Sequence, residues 1–351
     1  MKSKVRLKDA VVVITGASSG VGRATARQFA QAGSNVILAA RGEKALEKTA
    51  EECRKFGAKA LAVPTDTTSA QAVEALARQA ADRFGRIDVW VNSAAVHLFG
   101  AVETVPLDHF QRVLETNVMG YVHGSRTAIH HMKNQGHGVL INVSSAAANV
   151  PQPFAAAYSM SKAAVSALSV SLRSELWLAE EHDIHVVTIL PPAVDTPLFS
   201  RAANYSGRKV RAMPPVYPPE TIAKVIVKAA VKPKAEIAVG AGAKQMIKQH
   251  RAAPEATERL MALQVDRTHL SRTQSAPNTS GNLYESNTDD DAMTVHGGWH
   301  GKYRQRRRKT IGIGLLLGAV GAAVVGKQLT QQSLTKKTFK ATAKKAAKLV
   351  A

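Results

Sequence analysis

Val11-Val12-Val13-Ile14-Thr15-Gly16-Ala17-Ser18-Ser19-Gly20-Val21-Gly22 joins a β-branched run to a glycine-rich turn, and residues 23–32 continue with helical spacing. Strand, tight turn and helix start in that order make an anion site. Glycines let backbone N–H groups approach a pyrophosphate, and the helix end adds partial positive charge. The spacing Gly-x-x-x-Gly-x-Gly departs from the better-known Gly-x-Gly-x-x-Gly, so on this motif alone a turn built only for packing stays open.

Outward from that stretch the same alternation repeats. Apolar runs recur at 35–38, 60–63, 87–91, 139–143, 184–189 and 236–239, which with the first predicts seven strands. The runs are almost continuously apolar, as strands buried on both faces are in a parallel sheet between helix layers. Between them, 45–56 and 70–84 are rich in Ala, Glu and Arg and end at Gly57 and Gly85, the pattern of crossover helices with glycine stops. The fold class is therefore α/β, doubly wound, over about residues 1–250. Residues 254–270 suit one more amphipathic helix, and the Ser-, Thr-, Asn- and Asp-rich stretch 271–291 reads as a solvated flexible linker, giving a second region, 251–298.

The remaining region, 299–351, is a basic tail. It holds thirteen of the 47 Lys and Arg and none of the 26 Asp and Glu, so most of the net charge of +21 belongs to it. With 45% hydrophobic residues the chain is neither wholly disordered nor collagen-like. Cys53 is the lone cysteine, which excludes an intrachain disulfide and a Cys-based zinc cluster and suits a reducing compartment. The apolar run 10–14 is too short for a secretory segment, which needs ~7–15 residues.

Two further positions carry chemistry. The second strand ends Leu38-Ala39-Ala40-Arg41, with no acid to bind a ribose 2′-OH and with a base suited to the 2′-phosphate of NADP; a solvated loop arginine is the competing reading. Tyr158 and Lys162 stand four residues apart on one helical face. A nearby ammonium stabilises a phenolate, so Lys162 is expected to lower the Tyr158 pKa and make it an acid/base.

Taken in order, Thr15 to Gly22, Asp66, Asn92-Ser93-Ala94-Ala95, Asn117, Ser145, Tyr158-x-x-x-Lys162 and Pro191 through Thr196 resemble the short-chain dehydrogenase/reductase family over about residues 5–240. The resemblance implies a Rossmann-like seven-stranded parallel sheet and hydride transfer between a nicotinamide and a carbonyl or alcohol carbon. It implies a catalytic tetrad of Asn117, Ser145, Tyr158 and Lys162. Ser145 would bond the substrate oxygen and Tyr158 would move the proton. Lys162 would hold the ribose, and Asn117 would keep a backbone kink and a water. Gly16, Ser18, Ser19, Gly20, Val21 and Gly22 would cradle the cofactor, Asp66 would contact adenine, Asn92 would line the cleft, and Pro191, Val194 and Thr196 would embrace the carboxamide. NADP(H) is the preferred cofactor, with NAD(H) as the alternative, and a homodimer or homotetramer is implied. Two departures stand out: the family's Asn-Asn-Ala-Gly is Asn92-Ser93-Ala94-Ala95 here, and its Pro-Gly is Pro191-Pro192, which put loop shape and affinity in doubt but remove no catalytic group.

The substrate loop is expected at 198–219, where Phe199, Tyr205 and Tyr217 either face a lipophilic ligand or pack beneath the lid. His97 lies near the expected pocket but reads as an ordinary satisfied or solvated histidine. His296 and His300 have metal-ligand spacing, yet the glycines between them argue against a helix, so no metal site is expected. Residues 311–326 are uncharged and would span roughly 24 Å as a helix against a ~30 Å hydrocarbon core; residues 310–329 reach across if Lys327 snorkels. Membrane association through 310–329 competes with a hairpin docked on the domain, and basic residues at 304–309 favour keeping the enzyme on the cytoplasmic side. Lipid suits the basic tail better than nucleic acid. The reading is an NADP(H)-dependent oxidoreductase acting on a small carbonyl or alcohol; the alternative is an NADP(H)-sensing scaffold acting through its tail.

Overall fold

The computed structural model describes residues 5–285 and 293–299. Its strands are β1 (Val11–Thr15), β2 (Asn35–Ala40), β3 (Ala60–Pro64), β4 (Val89–Asn92), β5 (Leu98–Phe99), β6 (Gly138–Val143), β7 (Ile184–Leu190), β8 (Ala203–Asn204), β9 (Arg208–Val210), β10 (Glu236–Ala238) and β11 (Leu270–Ser275). The helices are α1 (Gly20–Gln31), α2 (Glu43–Arg54), α3 (Ala70–Phe84), α4 (Leu107–Leu114), α5 (Gly120–Gln135), α6 (Ala156–Leu178), α7 (Pro219–Val231), α8 (Ala241–Ala252) and α9 (Pro254–Gln264). Seven strands form one sheet in the order β10-β7-β6-β4-β1-β2-β3, every neighbouring pair parallel. These are the seven apolar runs of the sequence.

Alternate residues of each strand enter opposite layers, which is why the runs are continuous rather than alternating. Val12, Ile14, Val36, Leu38, Val89 and Val91 pack with Phe29 of α1, Leu46 of α2 and Ile222 and Ile226 of α7. Val11, Val13, Ile37, Trp90 and Leu140 face the other way, onto Val73 and Leu76 of α3, Ala128 and Met132 of α5 and Leu176 of α6. Ser69 caps α3 by accepting the Ala72 N–H at 3.2 Å, and Gly85 ends it at φ +75°. The order of strands reverses at β1 and β4, so their carboxyl ends diverge into the crevice where ligands of open α/β sheets bind.

Beyond residue 250 the structure departs from the sequence reading. The expected helix 254–270 is α9 followed by a π-helical turn, Val265–His269, and α8 precedes it. The expected flexible linker is docked at least as far as residue 285. Strand β11 pairs antiparallel with β9, Thr279 bridges to Asn204, and Leu283 is completely buried beside Val96, Leu98 and Val113. The physical reason is backbone bonding from one arginine. Arg208 donates to the Asp266 carboxylate at 2.8 Å and to the carbonyls of Asp266, Leu270 and Ser271 at 2.7–2.9 Å. A polar composition hides such pairing, because the groups that make it are main-chain atoms. The described residues beyond 250 thus belong to the same compact unit as the sheet. No helix among the described residues is long and apolar enough to cross a membrane. Residues 310–329 and His300 lie outside them.

Candidate active site

The glycine turn is held where the sequence places it, between the carboxyl end of β1 and the start of α1. Gly16 has φ +69°, and a Cβ there would meet the Ala94 Cα and N at 2.7 and 2.8 Å; a Cβ on Gly22 would strike the Gly16 carbonyl. Backbone, not side chain, fills that space, so the cradle tolerates only glycine. Thr15 Oγ1 ties the turn to the end of β4 by accepting the N–H groups of Ser93 and Ala94 at 3.1 and 3.3 Å. Gly16→Ala is expected to cost about 2 kcal/mol or more, through positive φ and backbone overlap together, read as a lowered thermal unfolding midpoint.

Tyr158 and Lys162 lie one turn apart near the start of α6, and Ser145 caps the short 3-10 turn Ala146–Ala148 after β6. The Ser145 hydroxyl bonds the Tyr158 phenol and also accepts the Ala147 N–H at 3.1 Å. Lys162 is 2% exposed, and its Nζ donates to the Val143 carbonyl at 3.0 Å and to Tyr121 Oη at 3.2 Å. Its Nζ lies 5.6 Å from the Tyr158 ring centre. Burial, opposed by the Ser145 bond, pushes the Tyr158 phenol up to about 12, and burial pulls Lys162 down to about 7. The expected lowering of Tyr158 by Lys162 is therefore corrected. The ammonium shares the same dry environment and is itself discharged near neutrality, so desolvation of the phenolate wins.

Asn117 sits in a π-helical turn, Glu115–Met119, between α4 and α5. Its amide accepts the Val96 N–H and donates to the Val96 carbonyl, both at 2.9 Å, and donates to Ser161 Oγ at 3.1 Å. This clamps the chain next to His97. Far from solvated, the His97 ring stacks on Tyr158 at 4.1 Å and on Phe99 at 4.0 Å, and its Nδ1 is buried without a partner. Burial and the nearby His269 hold its imidazole well below the usual range, hence neutral. His269, from the π turn after α9, packs edge-on against Phe99 and Phe199. No motif or periodicity marks His269 as a site residue. Of the loop aromatics, Phe199 joins this cluster, whereas Tyr205 bonds His109 Nδ1 at 2.8 Å and Tyr217 braces Val194.

The other expected cofactor residues are gathered around the same crevice. Ser18 is buried and Ser19 precedes α1 with its carbonyl accepting the Arg23 N–H; Val21 lies in the first turn. The Pro191 carbonyl accepts the Ala146 N–H at 2.9 Å, and a Cβ on Gly20 would touch Thr196 Cγ2 at 3.0 Å. Asn92 departs from expectation. Its side chain is buried and spent on Trp90, Ser125, Asn142 and the Tyr121 carbonyl rather than lining the cleft. Asp66 accepts from Thr68 and pairs with Arg112 at 3.2 Å.

The C-terminal segment also reaches the rim, which nothing in its composition announces. Arg41 donates to the carbonyls of Asn282, Leu283, Tyr284 and Glu285. At the other end the Gly20 N–H bonds the Thr294 carbonyl at 3.0 Å, and the Asp195 carboxylate accepts from the N–H groups of Gly297 and Trp299.

A family model described as short chain dehydrogenase matches residues 10–205. An uncharacterized oxidoreductase of Bacillus subtilis (strain 168), YxnA, is 35% identical over 298 residues, which cover 84% of this chain and 83% of the relative. Among solved structures, a short-chain dehydrogenase/reductase from Burkholderia phymatum in complex with NAD superposes with TM-score 0.66 at 26% identity, covering 72% of this chain and 96% of that one. A 3-ketoacyl-(acyl-carrier-protein) reductase from Brucella melitensis complexed with NADH gives TM-score 0.59 at 29% identity, covering 66% and 97%. With the family model matching more than half of the chain and these similarities beside it, the chain belongs to the short-chain dehydrogenase/reductase family and is an oxidoreductase of carbonyl and alcohol groups.

Proposed function

We propose that the chain is an NADP(H)-dependent reductase of a small carbonyl compound, with Tyr158 as the proton donor. The observation that carries this reading is the half-buried Tyr158 phenol bonded to Ser145, one turn from the buried Lys162. A phenol held near 12 is fully protonated at neutral pH, as an acid for carbonyl reduction must be. Ser145 orients the carbonyl oxygen toward that proton. Lys162, when charged, stabilises the phenolate left behind, and Asn117 positions the Val96–His97 backbone beside the site. The residues fit a nicotinamide dinucleotide: the cradle at Gly16 and Gly22 admits no Cβ, and α1 points its positive end there. When bound, that cofactor supplies the hydride. Ser18, Ser19, Gly20 and Val21 would hold its pyrophosphate, Asp66 its adenine end, and Pro191, Val194 and Thr196 its carboxamide.

Preference for NADP(H) over NAD(H) rests on Ala40 in place of an acid and on the neighbouring Arg41 and Arg112. Their two positive charges suit a 2′-phosphate and give a 2′-hydroxyl little. The test is fluorescence titration with NADPH and NADH, followed by NADPH oxidation over a panel of aldehydes, ketones and acyl carbonyls. Arg41→Ala is expected to weaken NADPH by roughly 10- to 100-fold, the scale of a charge-assisted bond, and NADH by less than about twofold. Equal weakening of both would overturn the preference. Exposed Val170, Trp177 and Leu178 on α6 support self-association, and the basic flanks of 310–329 support membrane association of the tail.

A further inference from the structure

Arg41 is expected to meet a ribose phosphate, yet in this structure its fork is already full. Its two terminal nitrogens carry four N–H donors. One nitrogen bonds the carbonyls of Leu283 and Tyr284 at 3.0 and 2.9 Å, the other those of Asn282 and Glu285 at 2.7 and 3.4 Å. The segment they belong to is anchored independently. Leu283 is completely buried, Arg112 Nε donates to the Leu283 carbonyl at 3.2 Å, and the Tyr284 ring lies 5.5 Å from the Arg112 guanidinium. Only the Nε–H of Arg41 is left outside this set of bonds, so a two-point grip on a phosphate requires at least one carbonyl to let go, and an end-on grip through both terminal nitrogens requires two.

We infer that residues 282–285 compete with the ribose 2′-phosphate for Arg41, so that NADP(H) loosens this segment on binding and NAD(H) does not. The inference rests on the NADP(H) reading above and adds to it a coupling inside the chain. A phosphate makes charge-assisted bonds to a guanidinium, stronger than those of neutral carbonyls, so the phosphate takes the fork. A 2′-hydroxyl offers no such exchange, and the carbonyls keep it. Coupling of this kind is reciprocal: whatever weakens the segment's anchorage strengthens NADP(H) and leaves NAD(H) alone. Discrimination between the two cofactors is thereby set in part by a segment more than two hundred residues from Arg41 in sequence.

The full-length protein tests this in two ways. Hydrogen exchange at the Asn282 and Leu283 amides, which bond the Arg201 and Ser280 carbonyls, is expected to rise at least threefold with saturating NADPH and to stay unchanged with NADH. Leu283→Ala is expected to tighten NADPH by about threefold or more and to move NADH by less than twofold. Tyr284→Ala, which removes a half-exposed ring and its contact with Arg112, should act in the same direction. If Arg41→Ala weakens NADPH alone, while NADPH leaves the exchange unchanged and both variants shift the two cofactors equally, the competition is overturned and the NADP(H) reading stands. If Arg41→Ala weakens both cofactors equally, that reading has failed and the competition falls with it.

Discussion

Tyr158→Phe is expected to lower kcat for carbonyl reduction by roughly 10²- to 10⁴-fold, the usual worth of a positioned general acid, and to leave the Kd for NADPH within about twofold. The substitution is selective because the ring stays. Its stack on His97 at 4.1 Å is unchanged, and the only group removed is the hydroxyl that bonds Ser145. Stopped-flow measurement of hydride transfer with saturating NADPH reads the chemical step apart from binding. A loss in Kd equal to the loss in rate would mean that Tyr158 holds the cofactor rather than moving a proton. Because the phenol is pushed up to about 12, no break from Tyr158 itself should appear in the reduction profile below that pH.

Lys162→Met is expected to abolish turnover to a similar extent and, at the same time, to stabilise the fold. Lysine ordinarily titrates at 10.5, and burial brings Lys162 to about 7. Below pH 7 the folded chain carries a desolvated ammonium, and its cost is fully present. Between about 7 and 10.5 the unfolded chain binds more protons than the folded one, so stability rises with pH and the cost fades. Methionine of similar length removes that cost. The Val143 carbonyl does not lose its last partner, because Tyr121 Oη donates to it at 2.9 Å. A gain on the order of 2 kcal/mol at pH 6, shrinking as pH rises toward 10, is the expected result of denaturation curves taken across that range. An unchanged or lowered stability at pH 6 would show that Lys162 is held by its two bonds more than it is penalised by burial. In the wild-type enzyme, reduction should fall as pH rises through about 7, since a neutral Lys162 no longer stabilises the phenolate, and the variant should lack that break.

The two substitutions also mark where local sequence stops informing. Tyr158 and Lys162 were legible because four residues of helix fix them on one face. Their proton affinities were not, because these depend on what surrounds α6: Tyr121, Val143, Ser145 and His97 come from other elements. His97 read as an ordinary histidine because stacking on Tyr158 and Phe99 is set by β5 and by the Asn117 clamp, neither of which leaves a periodic trace. Asn92 illustrates the opposite error. Its motif was plain, but the side chain turns into a buried amide network that spacing does not encode.

By itself the sequence determined the seven-stranded doubly wound sheet, the glycine cradle and the Tyr158–Lys162 pair. Each depends on short-range rules: β-branched runs buried on both faces, positive φ at glycine, and helical repeat. Tertiary structure alone decided that residues 270–285 dock instead of linking, that His269 joins the site, and that Arg41 is held by the carbonyls of 282–285. The bonds there are made by main-chain carbonyls, which every residue carries alike, and by arginines far away in the chain. Nothing in the side-chain pattern of such a segment reveals its partner, so only the folded backbone could assign it.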